Sequence, residues 1–268
     1  MRGWKKAALA VLAIVLVGLQ QTVSGAIGCT LSNPSQDLKY LFPEMTSFRE
    51  DVKELGKLPE GRKLFESLRE RLGGDLDPVY ETFETPYTVY TVFKGEEVLG
   101  IVHGVNVPGR GGVIQVFLSV DPKTGAIRQF FFQRLESPAA KELRNKEFRA
   151  QFAGLTLADF YKHDYYKVAE PKTEKDKLAK IQSPVTEEKA KTDFEASIRG
   201  VRKNLILLDL FVYDRRCEPF FQRAQEALGK LKAGGAATKT ETPAGKAETA
   251  APVEPAAKPE GEQKEKRP

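Results

Sequence analysis

The sequence predicts an α+β domain: an antiparallel four-stranded β-meander flanked by N- and C-terminal helices. Three observations predict it. Residues 87–135 hold four β-branched or aromatic runs separated by short turn-forming segments. On both sides of that block, apolar residues recur at spacings of three and four. Beyond those flanks, each end of the chain changes composition and loses the pattern.

The N-terminal end reads as a targeting segment over residues 1–28. Arg2, Lys5 and Lys6 precede AALAVLAIVLVGL, residues 7–19, a basic region followed by a short apolar one, as in export signals. Thirteen residues fall short of the roughly 20 that span a bilayer. Three processing routes stay open. Ser24-Gly25-Ala26 offers small residues for ordinary cleavage. Ala26-Ile27-Gly28-Cys29 resembles a bacterial lipobox, with Ala26 where Leu is usual, and would make Cys29 the lipidated N-terminus. An uncleaved anchor would extend over Gln20 to Val23. On each route the protein is exported to the cell envelope, with membrane association through its N-terminus on the last two. With two cysteines, Cys29 is lipidated, free or paired to Cys217.

Residues 233–268 are Ala, Pro, Lys, Glu, Gly and Thr with almost nothing to bury, and predict a disordered tail. Residues 30–232 remain as one domain of ordinary size. The net charge of +5 falls to +2 once the three cations of the export segment are set aside. A domain so near neutrality gives no electrostatic case for nucleic acid. There is no Walker loop, no dinucleotide-binding glycine fingerprint and no paired-cysteine metal motif. With His103 and His163 the only histidines, haem and zinc are not expected.

Within the domain, residues 36–72 predict helix, with Ser35 as cap and Pro43 as a stop. A second helical run follows, with Leu64, Phe65, Leu68 and Leu72 on one face and Gly73-Gly74 at its end. The strands are 87–93, 98–107, 113–120 and 126–135, with KGEE, PGRGG and DPKTG as turns. Two glycines in the second strand mark close approach of backbone or ligand. Helix returns over 139–161, broken at Gly154. Residues 162–191 read as a polar surface segment with room for a short strand. A helix over 193–213 starts from the capping-box pattern Thr192-x-x-Glu195, and a last amphipathic helix covers 219–231.

The order of these features resembles the FMN-binding domain family, which includes the flavin-carrying subunits of sodium-pumping NADH:quinone reductase and of Rnf complexes. The resemblance covers roughly residues 87–208. It rests on Gly109, Gly111 and Gly112 before an apolar strand ending in Val120-Asp121, then the glycine turn. Glu136-Ser137-Pro138 follows where the family reads Glu-Thr-Pro-Gly, and Phe148-x-x-x-Phe152-x-Gly154 matches its short helix. Upstream, Leu41-Phe42-Pro43 matches its N-terminal region. The resemblance implies FMN as cofactor and electron transfer as function, with redox proteins as partners. It sets Gly111, Gly112, Glu136, Ser137 and Pro138 near the ring, and Thr186 or Thr192 near the phosphate at a helix start. The family's Asp-x-x-Ser/Thr-Gly-Ala-Thr attachment motif is altered here. Lys180 stands for Asp, Ser183-Pro184-Val185-Thr186 lacks Gly and Ala, and Lys191 separates Ala190 from Thr192. FMN held without a covalent bond is the expectation. The alternative is a non-catalytic binding or scaffold lipoprotein that keeps the fold and has lost the flavin. Each residue also has a plain structural role: a hairpin turn for the glycines, a helix cap for Thr192, a core position for His103.

Overall fold

The computed structural model describes residues 29–73 and 81–237. The expected export segment, 1–28, and the chain beyond Ala237 lie outside them. Residues 29–32 are laid across a β-sheet. There the Leu31 N–H donates to the Tyr90 hydroxyl (3.1 Å) and the Ser32 N–H to Gln133 Oε1 (2.9 Å), while the Gln133 amide donates to the Thr30 carbonyl (3.1 Å). Helix α1, Pro34–Leu41, follows, with proline at its start, where the missing N–H costs nothing. Its cap is Asn33 and not Ser35: the Asn33 side chain accepts from the Gln36 N–H.

The sheet has five strands, not four. The additional strand is β1, Ser47–Glu54, inside the region expected to be helical. It pairs antiparallel with β2, Pro86–Lys94, and forms one edge of the sheet. Its sequence, SFREDVKE, carries the charges that protect edge strands from further pairing, so it lacks the apolar signature of a strand. Helix α2, Gly61–Arg71, ends as expected, with Gly73 at φ +74°. Strands β3 (Glu97–Gly109), β4 (Gly112–Val120) and β5 (Ile127–Arg134) complete the sheet in chain order, each antiparallel to the last.

Both faces of the sheet are covered, which is why β3 and β4 read as nearly continuous apolar runs. On one face Tyr90, Val92, Leu99, Val102 and Phe117 pack with Cys29, Leu31 and the buried side of α1. The other face carries the main core, built with the helices that follow β5. The two β3 glycines accommodate the protein's own rings. A Cβ at Gly100 would lie 2.4 Å from the Phe42 ring, and one at Gly104 would lie 2.3 Å from the Phe117 ring.

After β5 come the short helices α3 (Ala140–Leu143) and α4 (Lys146–Ala150). The chain breaks at Gly154 (φ +80°), then α5, Leu157–Ala169, starts from a Thr156/Asp159 capping box. Helix α5 takes in residues 162–169 of the expected surface segment. The rest of that segment, to residue 187, holds a single 3-10 turn, Leu178–Lys180, and no strand. Helix α6, Glu188–Phe211, crosses β3 and β4 so closely that a Cβ at Gly200 would lie 2.7 Å from Val116 Cγ2. Helix α7, Glu218–Ala237, packs on α5 and runs past Lys232, the expected domain end. Two buried cations tie the helices to the rest. Arg71 of α2 bonds to Asp209 of α6 (2.5 Å) and to Glu218 of α7, while Lys203 of α6 pairs with Glu81 and donates to the Asn106 carbonyl (2.9 Å).

Candidate functional site

The β3–β4 hairpin turns through Arg110 and Gly111, with Gly109 opposite Gly112. Gly112 has φ +137°, a backbone conformation that favours glycine. A Cβ on Gly111 would lie 2.2 Å from the Glu136 carbonyl oxygen, so this glycine is required by the chain's own backbone. The fold therefore brings Gly111 and Gly112 against Glu136.

Asp193 holds this junction together. It lies one turn into α6 and is fully buried. Its Oδ1 accepts from the Arg110 N–H (2.7 Å) and its Oδ2 from the Ser137 hydroxyl (2.5 Å). Ser137 Oγ in turn accepts from the Ala139 N–H (3.1 Å), and the Ser197 hydroxyl donates to the Asp193 carbonyl (2.7 Å). An oxyanion placed among a hairpin N–H, a hydroxyl and the first turns of a helix is the arrangement expected of an anion site. Here the anion belongs to the protein. Nothing in the sequence marked Asp193, because one acid in a helical pattern reads as solvent-facing.

The other expected residues divide. Glu136 is exposed and accepts from Arg134 Nε and Nη2 (2.9 and 2.6 Å). Pro138 and Thr186 line one cleft of about 80 Å³, together with Glu142 and Glu187. Thr192 is not part of it. Because α6 begins at Glu188, Thr192 is an exposed residue inside the helix, neither its cap nor a lining residue of the cleft.

These residues do not fit FMN. The cleft is well below the ~300 Å³ at which ligand pockets begin. The positive end of the α6 dipole is already faced by Glu187 and Glu188, and Glu142 adds a third carboxylate, so a phosphate there meets repulsion. The N–H and hydroxyl donors beside the glycine turn are taken by Asp193.

Cys29 is 5% exposed in the smaller core cluster, and burial pushes its thiol up to about 12 against the opposing pull of the Lys203 ammonium. Cys217 is buried too, pushed up to about 11, and neither thiol forms a disulfide. A thioether-linked lipid on Cys29 would require residues 29–32 to lift off the sheet. His103 is structural. The Asn204 amide donates to the Val116 and Gly200 carbonyls (3.0 and 3.1 Å), so Asn204 Oδ1 is left to accept from His103 Nδ1–H (2.7 Å). Burial lowers the His103 pKa to about 4 and keeps it neutral. Compared with protein-family models and with curated proteins, the chain matches none, so the family resemblance rests on the residues themselves.

Proposed function

We propose that this is an exported, membrane-associated, non-catalytic binding or scaffold protein of the cell envelope. In this reading it keeps the architecture of a flavin-binding domain and has replaced the flavin phosphate with its own carboxylate. The observation that carries the reading is Asp193, buried and bonded to both the hairpin N–H and the Ser137 hydroxyl. Attachment through the apolar segment in residues 1–28 is favoured over lipid on Cys29, because the thiol is buried and the adjoining residues are hydrogen-bonded to the sheet. Among the described residues no helix is long and apolar enough to cross a membrane. The test is to purify the full chain from its native membrane fraction, record its absorbance, and titrate it with FMN while following flavin fluorescence. The expected result is a colourless protein with no saturable quenching up to about 100 μM, a limit near 5.5 kcal/mol of binding. Yellow protein, or saturable uptake, overturns the reading.

A second reading, an FMN-carrying electron-transfer component, is favoured by one observation: Gly111 and Gly112 lie against Glu136, and Pro138, two residues on, lines a cleft with Thr186. In that case the isoalloxazine supplies the redox chemistry. Denaturation would then release the colour into the small-molecule fraction, with no flavin adduct on Thr186 or Thr192.

A further inference from the structure

A second cleft, of about 240 Å³, lies beside the first half of β5, away from the junction at Pro138. It is lined by Arg128 and Gln129 of β5, Lys146 and Arg149 of α4, and Tyr40 of α1, and no carboxylate lines it. Both guanidinium groups are fixed in place by neutral partners. Arg149 donates from Nη1 to the Phe130 carbonyl (3.0 Å) and from Nε to the Arg144 carbonyl (3.2 Å). Arg128 donates to the Leu99 carbonyl, and its Cζ sits 5.4 Å from the centre of the Phe42 ring. Among the described residues, neither arginine nor Lys146 has an ion pair, and Tyr40 is 71% exposed. Arg128 helps to hold the Asp121 carboxyl low, after the stronger effect of that residue's own turn hydrogen bonds. Arg144, just outside the cleft, is held below its usual range by burial and by repulsion from Arg149.

Satisfying backbone carbonyls explains one or two N–H groups of each arginine. It does not explain why three cations converge without an acid. A guanidinium bound to backbone carbonyls keeps its full charge and has donors to spare. Two forks held in position, plus an unconstrained ammonium, match an oxyanion with several acceptor atoms. The volume is slightly under that of ordinary ligand pockets, which suits a compact ligand better than a nucleotide.

We propose that this cleft binds a phosphomonoester group, carried on a small molecule or on a lipid headgroup. Arg128 and Arg149 would grip its oxygens, Lys146 would supply the third positive charge, and the Gln129 amide and Tyr40 hydroxyl would lie at the rim. This goes beyond the reading of Asp193 and does not depend on it.

The test titrates the full chain with inorganic phosphate, following its melting temperature at constant ionic strength set with chloride. A saturable rise is expected, and the half-saturating concentration should increase about tenfold in Lys146→Ala and in Arg128→Lys, the effect of losing one charge-assisted contact. Lys146 has no structural partner among the described residues, so its variant keeps the test valid if Arg128→Lys folds poorly. A rise that chloride reproduces, or one that Lys146→Ala leaves unchanged, overturns the proposal. A second arm identifies the source, using phosphatidylcholine vesicles with and without phosphatidic acid. Flotation that depends on phosphatidic acid, falls in Lys146→Ala and is competed by phosphate supports the headgroup. Saturable phosphate binding without that dependence supports a soluble phosphomonoester.

Discussion

Replacing Asp193 by alanine removes the acceptor on which the hairpin N–H of Arg110 and the hydroxyl of Ser137 converge. Leaving a fully buried donor unsatisfied costs ~1–3 kcal/mol; both bonds here are part-buried, so the two together put the loss toward the low end, at about 2–4 kcal/mol. Asparagine keeps the shape and one acceptor oxygen, and Ser137 can rotate to accept from its amide. Asp193→Asn therefore loses chiefly the charge assistance, about 1–2 kcal/mol. For a domain of this size ~1 kcal/mol is ~2–4 °C in Tm, so an alanine loss of about 3 kcal/mol lowers Tm by about 6–12 °C and the asparagine change by about 2–8 °C. The assay is urea denaturation of the three proteins, with amide hydrogen exchange measured at Arg110. Exchange at that N–H should speed up more in Asp193→Ala than the drop in global stability explains, because its local partner is gone. If alanine costs under about 1 kcal/mol, or Arg110 stays as protected as in the unaltered chain, the clamp is not formed and the self-filled anion site is wrong.

Three further outcomes are expected. Gly111→Ala brings a Cβ to 2.2 Å from the Glu136 carbonyl, which should cost about 1–3 kcal/mol of overpacking in urea denaturation; a neutral substitution would mean the hairpin does not rest on that segment. His103 has a folded pKa of about 4 against an ordinary 6.5, so as pH falls the unfolded chain takes up its proton first. Stability should fall between pH 6.5 and about 4 and level off below, by on the order of 3 kcal/mol in all, and His103→Gln should remove that slope from the urea midpoints. Cys29 and Cys217, raised to about 12 and about 11 by burial, should resist a thiol reagent at pH 8 until the chain is denatured, when both react. A single reactive thiol after denaturation would restore lipidation at Cys29.

Strands β2–β5 were legible because their turns carry the chemistry of the fold in the sequence itself. Asp121 Oδ1 accepts from the N–H groups of Lys123 and Thr124, and Gly125 adopts φ +68°. The missed strand, β1, is stabilised by pairing with one neighbour and carries charge on an exposed edge, so no local apolar pattern announces it. The start of α6 was missed for a related reason. Its first turn, from Glu188, has no side-chain cap, while Thr192-x-x-Glu195 offered a plausible one four residues later. Helix existence was local information; helix beginning was set by contacts from elsewhere.

The same distinction bears on the site. Gly111 is required by the Glu136 carbonyl and Gly112 by its own φ, whatever occupies the cleft at Pro138. Gly100, Gly104 and Gly200 are required by Phe42, Phe117 and Val116. Residues that carry the likeness to a flavin-binding domain are thus, in large part, residues that the fold needs for its own close contacts. Their presence bears on the fold and is neutral on the ligand. Ligand information lies instead in positions that make no such close contact: the threonine expected near the phosphate, the residue facing the hairpin N–H, and the charges at the start of α6. At those positions this chain has an exposed Thr186, a buried Asp193, and Glu187 with Glu188. Each of the three disfavours phosphate, and by different physics: a threonine without the Gly-Ala neighbours of the attachment motif, an occupied donor pair and negative local charge. Three features that disfavour a phosphate by different physics weigh more than any one of them in the reading proposed above, which is why the carboxylate at 193 is the residue to change first.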